Sequence, residues 1–582
     1  MHRMVNQVRA LASARSRILL RPVLAIAAAA TATLSPAAQV PAGPPPYDLI
    51  IRNGKIVDGT GNPWFHGDLA IIGDRILAVG FVPAAAAGRV IDAAGLVVAP
   101  GFIDMHSHSD RTLFQDGQAQ SKIRQGVTTE ILGETYSGGP YRGKLPARRI
   151  PLKSEVRVIA SLADFFTALE ASKISVNVAS YVGIGNVWQS VMGHSFDRPT
   201  GAQLKQMQNL IAEAMREGAL GLSTQVMTPP GSLANTADLI GLAKVARRFG
   251  GIYSTHIRNE GLGVFDAIKE AISVGETADI PVDVIHLKIA DQVYWGRMNE
   301  VIGLFESART RGVNIQANVY PYTRGNNNLV SIIPPWAHEG GRSRLLERLR
   351  EPTLRKKLKE DIEHGIPGWY NHYTAVGRDW SRMLISANGP LRGMTMDRIL
   401  AKRNEGVSPP LDPLDILFDL LLEFNGSIGT VYAHHQEADM NLALSQPWCS
   451  IGSDGAAYAI KGPLRQGNPH PRNFGTFPRV LGRYVRERGL LTLEDAVRKM
   501  TSLNAAKVDL RKRGLLQPGF FADITLFHPH KVIDLADYTD PFHYNEGIEY
   551  VIVNGAVVLE RGTHTGALPG RVLRRAKQSS NQ

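Results

Sequence analysis

Residues 97–110 read Val-Val-Ala-Pro-Gly-Phe-Ile-Asp-Met-His-Ser-His-Ser-Asp, an apolar run that ends in a His-x-His pair. Alternate side chains of a strand share a face, so His106 and His108 are expected to emerge together at its exit. Two neutral imidazoles side by side make half of a divalent-metal site. Other residues of ligating type close later apolar runs: Glu134, His256, His286 and, within Gly452-Ser-Asp-Gly, Asp454. Any one of them alone would more often be a core or surface residue. Recurring at the same place relative to their strands, they point to a catalytic metal centre. Glu130, four residues before Glu134, sits deeper and is the weaker candidate.

To bring these residues together the chain needs strands whose C-terminal ends share one rim. Eight strand-like runs are expected, at 97–104, 126–132, 175–182, 220–225, 251–256, 281–286, 313–319 and 449–451. Most are separated by helical patterns. Leu239, Leu242, Val245, Ala246 and Phe249 recur at helical spacing, and Gly250-Gly251 ends that run as a C-cap does. Alternation of this kind predicts an α/β chain folded as a (β/α)8 TIM-type barrel, with its active site at the strand C-termini. A doubly wound open sheet is the alternative, but no Gly-rich phosphate loop follows the first run.

Outside the barrel, 47–98 reads as short strands turning at Asn53-Gly54 and Gly73-Asp74, and 522–527 and 550–559 repeat that style. Each end is too small for a core of its own, so the two are expected to form one small β-sandwich. The predicted organisation is a signal peptide (1–38), a Pro-rich linker (39–46), the N-terminal strands of the β-sandwich (47–98), the barrel (99–506), the C-terminal strands of the β-sandwich (507–571) and a basic, polar tail (572–582). Within the barrel, a long insertion at about 322–448 lies at the catalytic face, where such a segment acts as a lid or selects substrate. His434-His435 in it, and His470 beyond it, face either the pocket or solvent.

At 582 residues, 44% apolar and 20% charged, the composition is ordinary for a globular protein. Five arginines and no acid among residues 1–38 contribute to the formal charge of +12, leaving +7 for the rest. With no basic block, a nucleic-acid partner is not expected. The arginines precede an apolar stretch, 23–34, and small residues Ala37 and Ala38, the order of a secretory signal, so a periplasmic or extracellular location is expected. No other run reaches membrane-spanning length, so stable membrane insertion is not expected. Cys449 is the single cysteine, which rules out an internal disulfide and a cysteine-based zinc site and leaves it a packing role. The oligomeric state is left open.

Pro100-Gly-Phe-Ile-Asp-Met-His-Ser-His resembles the signature of the amidohydrolase superfamily. Gly218-Ala-Leu-Gly-Leu-Ser-Thr, Thr255-His-Ile-Arg-Asn-Glu, Ile285-His-Leu-Lys, Tyr320-Pro-Tyr, Pro334-Pro-Trp-Ala-His-Glu-Gly-Gly, Gly452-Ser-Asp-Gly and Pro469-His-Pro-Arg resemble the N-acyl-D-amino-acid deacylases, or D-aminoacylases. The resemblance implies a barrel flanked by a β-sandwich from both chain ends, with one or two zinc ions among His106, His108, His256 and His286. It also implies Asp454 as acid/base. One departure stands out: that family places a cysteine after the second strand, within Gly-Asn-Cys-Gly, where this chain has Gly133-Glu-Thr-Tyr-Ser. A carboxylate can bridge two ions as a thiolate does, which makes Glu134 the replacement ligand and leaves ion number and identity open.

The reaction implied is hydrolysis of the amide of an N-acyl-D-amino acid by metal-activated hydroxide, giving a carboxylate and a free D-amino acid. D selectivity rests on the resemblance alone. Such a substrate carries a free carboxylate, for which the alternation offers Lys288 beside His286 and Arg258 beside His256, and the resemblance adds Tyr320. The alternatives are another amidohydrolase reaction (cyclic-amide hydrolysis, dipeptidase action or deamination) and an inactive metal-binding scaffold. The absence of a Gly-x-Ser-x-Gly elbow argues against a serine hydrolase.

Overall fold

The structure is a computed structural model that describes residues 47–83, 87–152 and 155–575. The expected signal segment and linker lie outside the described residues, as does most of the 572–582 tail. Tyr47–Ile56 pairs with Phe65–Ile72, Ala87–Asp92 and Val97–Pro100. Val97–Pro100 then pairs antiparallel with Ile524–Phe527, which continues to Ile548–Val553 and Ala556–Glu560. The two chain ends are thus hydrogen-bonded into a single nine-stranded sheet, a closer union than face-to-face packing. Its alternating apolar residues share one core, in which Ile51, Leu69, Ile71 and Val98 meet Ile524, Leu526 and Ile552.

The expected strand 97–104 is divided at Gly101. Val97–Pro100 stays in the terminal sheet and Phe102–Asp104 opens the barrel. A Cβ at Gly101 would lie 2.3 Å from the Thr128 side chain, so the crossing between the two sheets requires glycine.

The barrel strands that follow are Val127–Leu132, Asn177–Ser180 with its continuation Val182–Gly183, Gly221–Gln225, Ile252–His256, Val282–Val284, Ile315–Val319 and Cys449–Ile451. Each pairs in parallel with its successor. Beyond the eighth strand, the Asp454 N–H donates to the His106 carbonyl (2.8 Å) and the His108 N–H to the Gly455 carbonyl (2.9 Å), bonding the last strand's loop to the first. Nearly every strand residue is buried, as parallel strands under helices require. The helix Thr236–Arg248 illustrates the cover. Asn235 and Asp238 form a capping box at its start, Leu239, Leu242, Val245 and Ala246 are buried, and Gly250 leaves it at φ 70°.

Between the seventh and eighth strands the chain builds a unit of its own. Gly325–Asn328, Gly429–Tyr432 and Met383–Ile385 form a small antiparallel sheet. Helices including Pro352–His364 and Pro413–Glu423 cover it around a separate core of Leu358, Ile362, Met383, Leu417 and Phe418. Among the described residues no helix is long and apolar enough to cross a membrane.

Candidate metal centre and active site

His256 ends its strand, whereas His106, His108, Glu134, His286 and Asp454 stand just past theirs, in the turns that leave the barrel. Two of these residues themselves have left-handed backbone, His286 (φ 41°) and Asp454 (φ 51°). This conformation is uncommon outside glycine and is held here by cross-barrel bonds. The His286 N–H donates to Asn318 Oδ1 at 3.0 Å, and the Asp454 N–H to the carbonyl of His106 on the first strand's loop. Gly133 (φ 95°) precedes Glu134, and a Cβ there would meet Ser180 Oγ at 2.6 Å.

All six side chains converge. Glu134 Oε2 lies 2.8 Å from His106 Nε2 and 3.1 Å from His108 Nε2, and Glu134 Oε1 lies 3.2 Å from His256 Nδ1. His286 Nε2 is 3.1 Å from that same His256 nitrogen. Asp454 Oδ1 is 2.9 Å from His108 Nε2 and 3.7 Å from His106 Nε2. Two groups of donor atoms result, one of His106, His108, Glu134 and Asp454 and one of Glu134, His256 and His286, each spanning no more than 4.8 Å. Glu134 is common to both.

The charges favour a cation. Burial works against ionising Glu134, yet the surrounding imidazoles hold its carboxyl well below the usual range. Burial likewise raises Asp454, but the Arg472 guanidinium and the imidazoles outweigh it and keep the group ionised. Burial, then Lys288 and His256, push His286 down to about 4, which leaves it neutral, the form that binds a metal. Nitrogen and oxygen acceptors crowded this closely are what a divalent ion satisfies.

Deeper bonds fix the rim. Asp104, buried inside the first strand, accepts from Lys122 Nζ (2.6 Å), the Ser453 N–H (2.8 Å) and Ser453 Oγ (2.5 Å), joining the His106 strand to the Asp454 loop. Glu130 is fully buried and accepts from Ser107 Oγ and Ser109 Oγ, so it braces the His106–His108 turn instead of facing the cavity. Lys507 Nζ ties Asp283 (2.6 Å) to Ser450 Oγ (2.8 Å) across the sixth and eighth strands.

Of the residues expected to hold a substrate carboxylate, none is free at the main cavity. The Lys288 ammonium is spent on Glu260 Oε1 (2.6 Å), His286 Nδ1 (2.8 Å) and the His286 carbonyl (3.0 Å). Lys288 and Tyr320 line a small second cavity that shares His286 with the main one. The structure turns Arg258 away altogether. Its guanidinium is paired with Glu270 (2.8 and 2.9 Å) and reaches the carbonyls of Ser232 and Ala234. Glu260, the acid nearer in sequence, is already held by Lys288, so Arg258 turns to the more distant Glu270.

Two residues join the site that the sequence does not place there, Glu260, which the sequence offers only as a partner for Arg258, and Arg472. Glu260 orients Lys288 and lies 3.0 Å from His286 Nδ1. Arg472, the last residue of Pro469-His-Pro-Arg, places Nη1 2.6 Å from Asp454 Oδ2 and stands over the Tyr320 ring at 4.8 Å. Its motif was visible, but nothing in the spacing said that its arginine reaches back to the rim. His434, His435 and His470 are buried, and of these His470 lines the main cavity. Cys449 is buried within its strand, as a packing residue is. The cavity, about 790 Å³, opens over His108, Glu134, His256, His286 and Asp454 and is walled by Asn326, Asn327 and Asn388 from the unit between strands seven and eight, among others.

A model of the amidohydrolase family matches residues 89–317 and 405–559. The chain belongs to the amidohydrolase family. The D-aminoacylase of Alcaligenes xylosoxydans xylosoxydans is 34% identical over 539 residues, covering 91% of this chain and 98% of that one. Among solved structures, the chain resembles the N-acyl-D-glutamate deacylase of Bordetella bronchiseptica in complex with zinc and a phosphonate inhibitor that mimics the tetrahedral intermediate. That match has a TM-score of 0.75 and 32% identity over 91% of this chain and 99% of the other. A D-aminoacylase structure concerned with the functional role of a binuclear metal centre matches with a TM-score of 0.74 and 33% identity, over 91% of this chain and all of the other. In this amidohydrolase, the unmatched residues 318–404 begin where the seventh barrel strand ends.

Proposed function

We propose that this amidohydrolase cleaves the amide bond of N-acyl-D-amino acids to a carboxylate and a free D-amino acid, and that one or two zinc ions are held by His106, His108, Glu134, His256, His286 and Asp454. The observation that carries the reading is Glu134, whose two oxygens face two separate groups of imidazoles. The relatives, which include a zinc complex and a binuclear centre, support the same assignment. A zinc ion bound there supplies Lewis acidity toward the scissile carbonyl and toward water.

The chain's own groups handle the protons and the substrate. Asp454 is ionised and held through Oδ2 by Arg472, with Oδ1 facing the histidines. It takes the proton from the attacking water and returns it to the departing amine nitrogen. Arg472 Nε is buried without a protein partner, and Arg472 is the one Lys or Arg side chain lining the main cavity among the described residues. It therefore suits the substrate carboxylate better than Lys288, which together with Glu260 holds His286 in place. The arginines and apolar run of residues 1–38 support export to the periplasm or beyond.

The test is metal analysis of the purified protein beside hydrolysis of paired N-acetyl-D- and N-acetyl-L-amino acids. Zinc at one or two per chain with D-selective amine release is expected. Metal without turnover of either enantiomer would overturn the reaction, and absence of metal would overturn the centre.

A further inference from the structure

Beyond the metal groups and Arg472, the cavity wall carries side-chain amides, and their orientation is set by the protein. Gln225 Oε1 accepts from the Thr228 N–H (3.3 Å) and Thr228 Oγ1 (3.0 Å). Asn388 Oδ1 accepts from the Gly467 N–H. Asn326 Oδ1 accepts from Ser386 Oγ at 3.1 Å. A backbone N–H donates only, so at Gln225 and Asn388 the oxygen must be the inward atom and the NH2 group the one left over. Among the described residues the NH2 groups of Gln225, Asn326 and Asn388 have no protein partner, and all three residues line the main cavity. The wall therefore offers hydrogen-bond donors without a free positive charge.

We infer that this wall selects substrates whose variable group is neutral and carries hydrogen-bond acceptors, such as a carboxamide, a hydroxyl or an ether. The inference rests on the deacylase reading and adds the substrate class. An aliphatic group would displace water from the amide donors and leave them unpaired. A second carboxylate would be desolvated with no further Lys or Arg to meet it, because Arg472, the one such side chain lining the cavity among the described residues, is shared between Asp454 and the carboxylate that every N-acyl amino acid carries. The acceptor-bearing group belongs either to the amino-acid side chain or to the acyl chain, and the two sources are separable by experiment.

On the zinc-loaded full chain, kcat/KM is measured for N-acetyl-D-glutamine, N-acetyl-D-leucine and N-acetyl-D-glutamate, and for N-methoxyacetyl-D-alanine against its isostere N-butyryl-D-alanine. Preference for glutamine over both leucine and glutamate assigns the wall to the side chain. Preference for methoxyacetyl over butyryl assigns it to the acyl group. In Asn388→Asp and Gln225→Glu an oxygen remains to accept the backbone N–H while the donor is lost, so whichever preference exists should fall by about five- to tenfold in each. Equal rates within both comparisons, a preference for glutamate, or an unchanged ratio in both variants would overturn the inference. Hydrolysis of none of the five compounds would remove the deacylase reading and this inference with it.

Discussion

The rim of the barrel and the wall that overhangs it are built in opposite ways. On the rim, each candidate ligand leaves a strand whose neighbours are buried, and charged groups sealed inside the barrel tie the turns together. Asp104 with Lys122 and Asp283 with Lys507 are both almost wholly removed from solvent. Breaking such a pair leaves a lone charge in the interior, so the rim has one arrangement. Apart from Gln225 at the end of a barrel strand, the wall amides come from the unit between strands seven and eight, which has its own sheet and core and leaves Asn326 and Asn388 exposed. The difference teaches where variation is tolerated: the chemistry stands on bonds that cannot be altered singly, and the selection stands on side chains that can.

That contrast is most exposed at Glu134. Glu134→Ala removes the atom set shared by both donor groups, so activity should drop by about three orders of magnitude or more, and zinc content should fall with it. Full zinc occupancy in the variant would return Glu134 to a structural role. Asp454→Asn comes next, with kcat expected to fall by about 10²- to 10⁴-fold. Because the group of Glu134, His256 and His286 does not use Asp454, zinc should remain there, and loss of all metal would mean the two groups are not separable.

Much of the rim was legible because strand alternation and barrel topology convert sequence position into place. His106, His108, His256 and His286 needed no more than their position near predicted strand ends, and Glu134 stood where the family resemblance led to the expectation of a ligand. What was not legible depended on competition among side chains. Arg258 has acids within reach at Glu260 and Glu270, and sequence cannot say that Lys288 takes the first and leaves it the second. Arg472 lies 18 residues beyond Asp454, and the intervening loop hides the 2.6 Å contact between them. Asn326 and Asn388 were invisible for a similar reason, since which end of each amide faces the cavity is decided by partners, Ser386 and Gly467, that are remote in the chain.

Glu260→Gln tests whether the rim's rigidity extends to the bonds behind the ligands. Burial opposes its ionisation, but Lys288 and the two histidines hold its carboxyl well below the usual range. Removing that charge frees Lys288 and loosens His286, so zinc affinity should weaken by about 10- to 100-fold, a smaller effect than loss of a ligand. An unchanged affinity would show that His286 is fixed by its own turn alone.

Arg258→Ala should have the smallest effect. Its guanidinium is partly exposed and joins Glu270 to the loop carbonyls of Ser232 and Ala234, turned away from the ligands. The loss should cost about 1 kcal/mol of stability, read as a small fall in Tm, since a partly exposed ion pair contributes little more. KM for N-acetyl-D-amino acids should stay within about twofold, because a residue that touches neither substrate nor ligand carries no binding energy that the substitution could remove. A large rise in KM confined to substrates with a free carboxylate would bring Arg258 back to the cavity. It would then also show that the rim is less fixed than its buried ion pairs require.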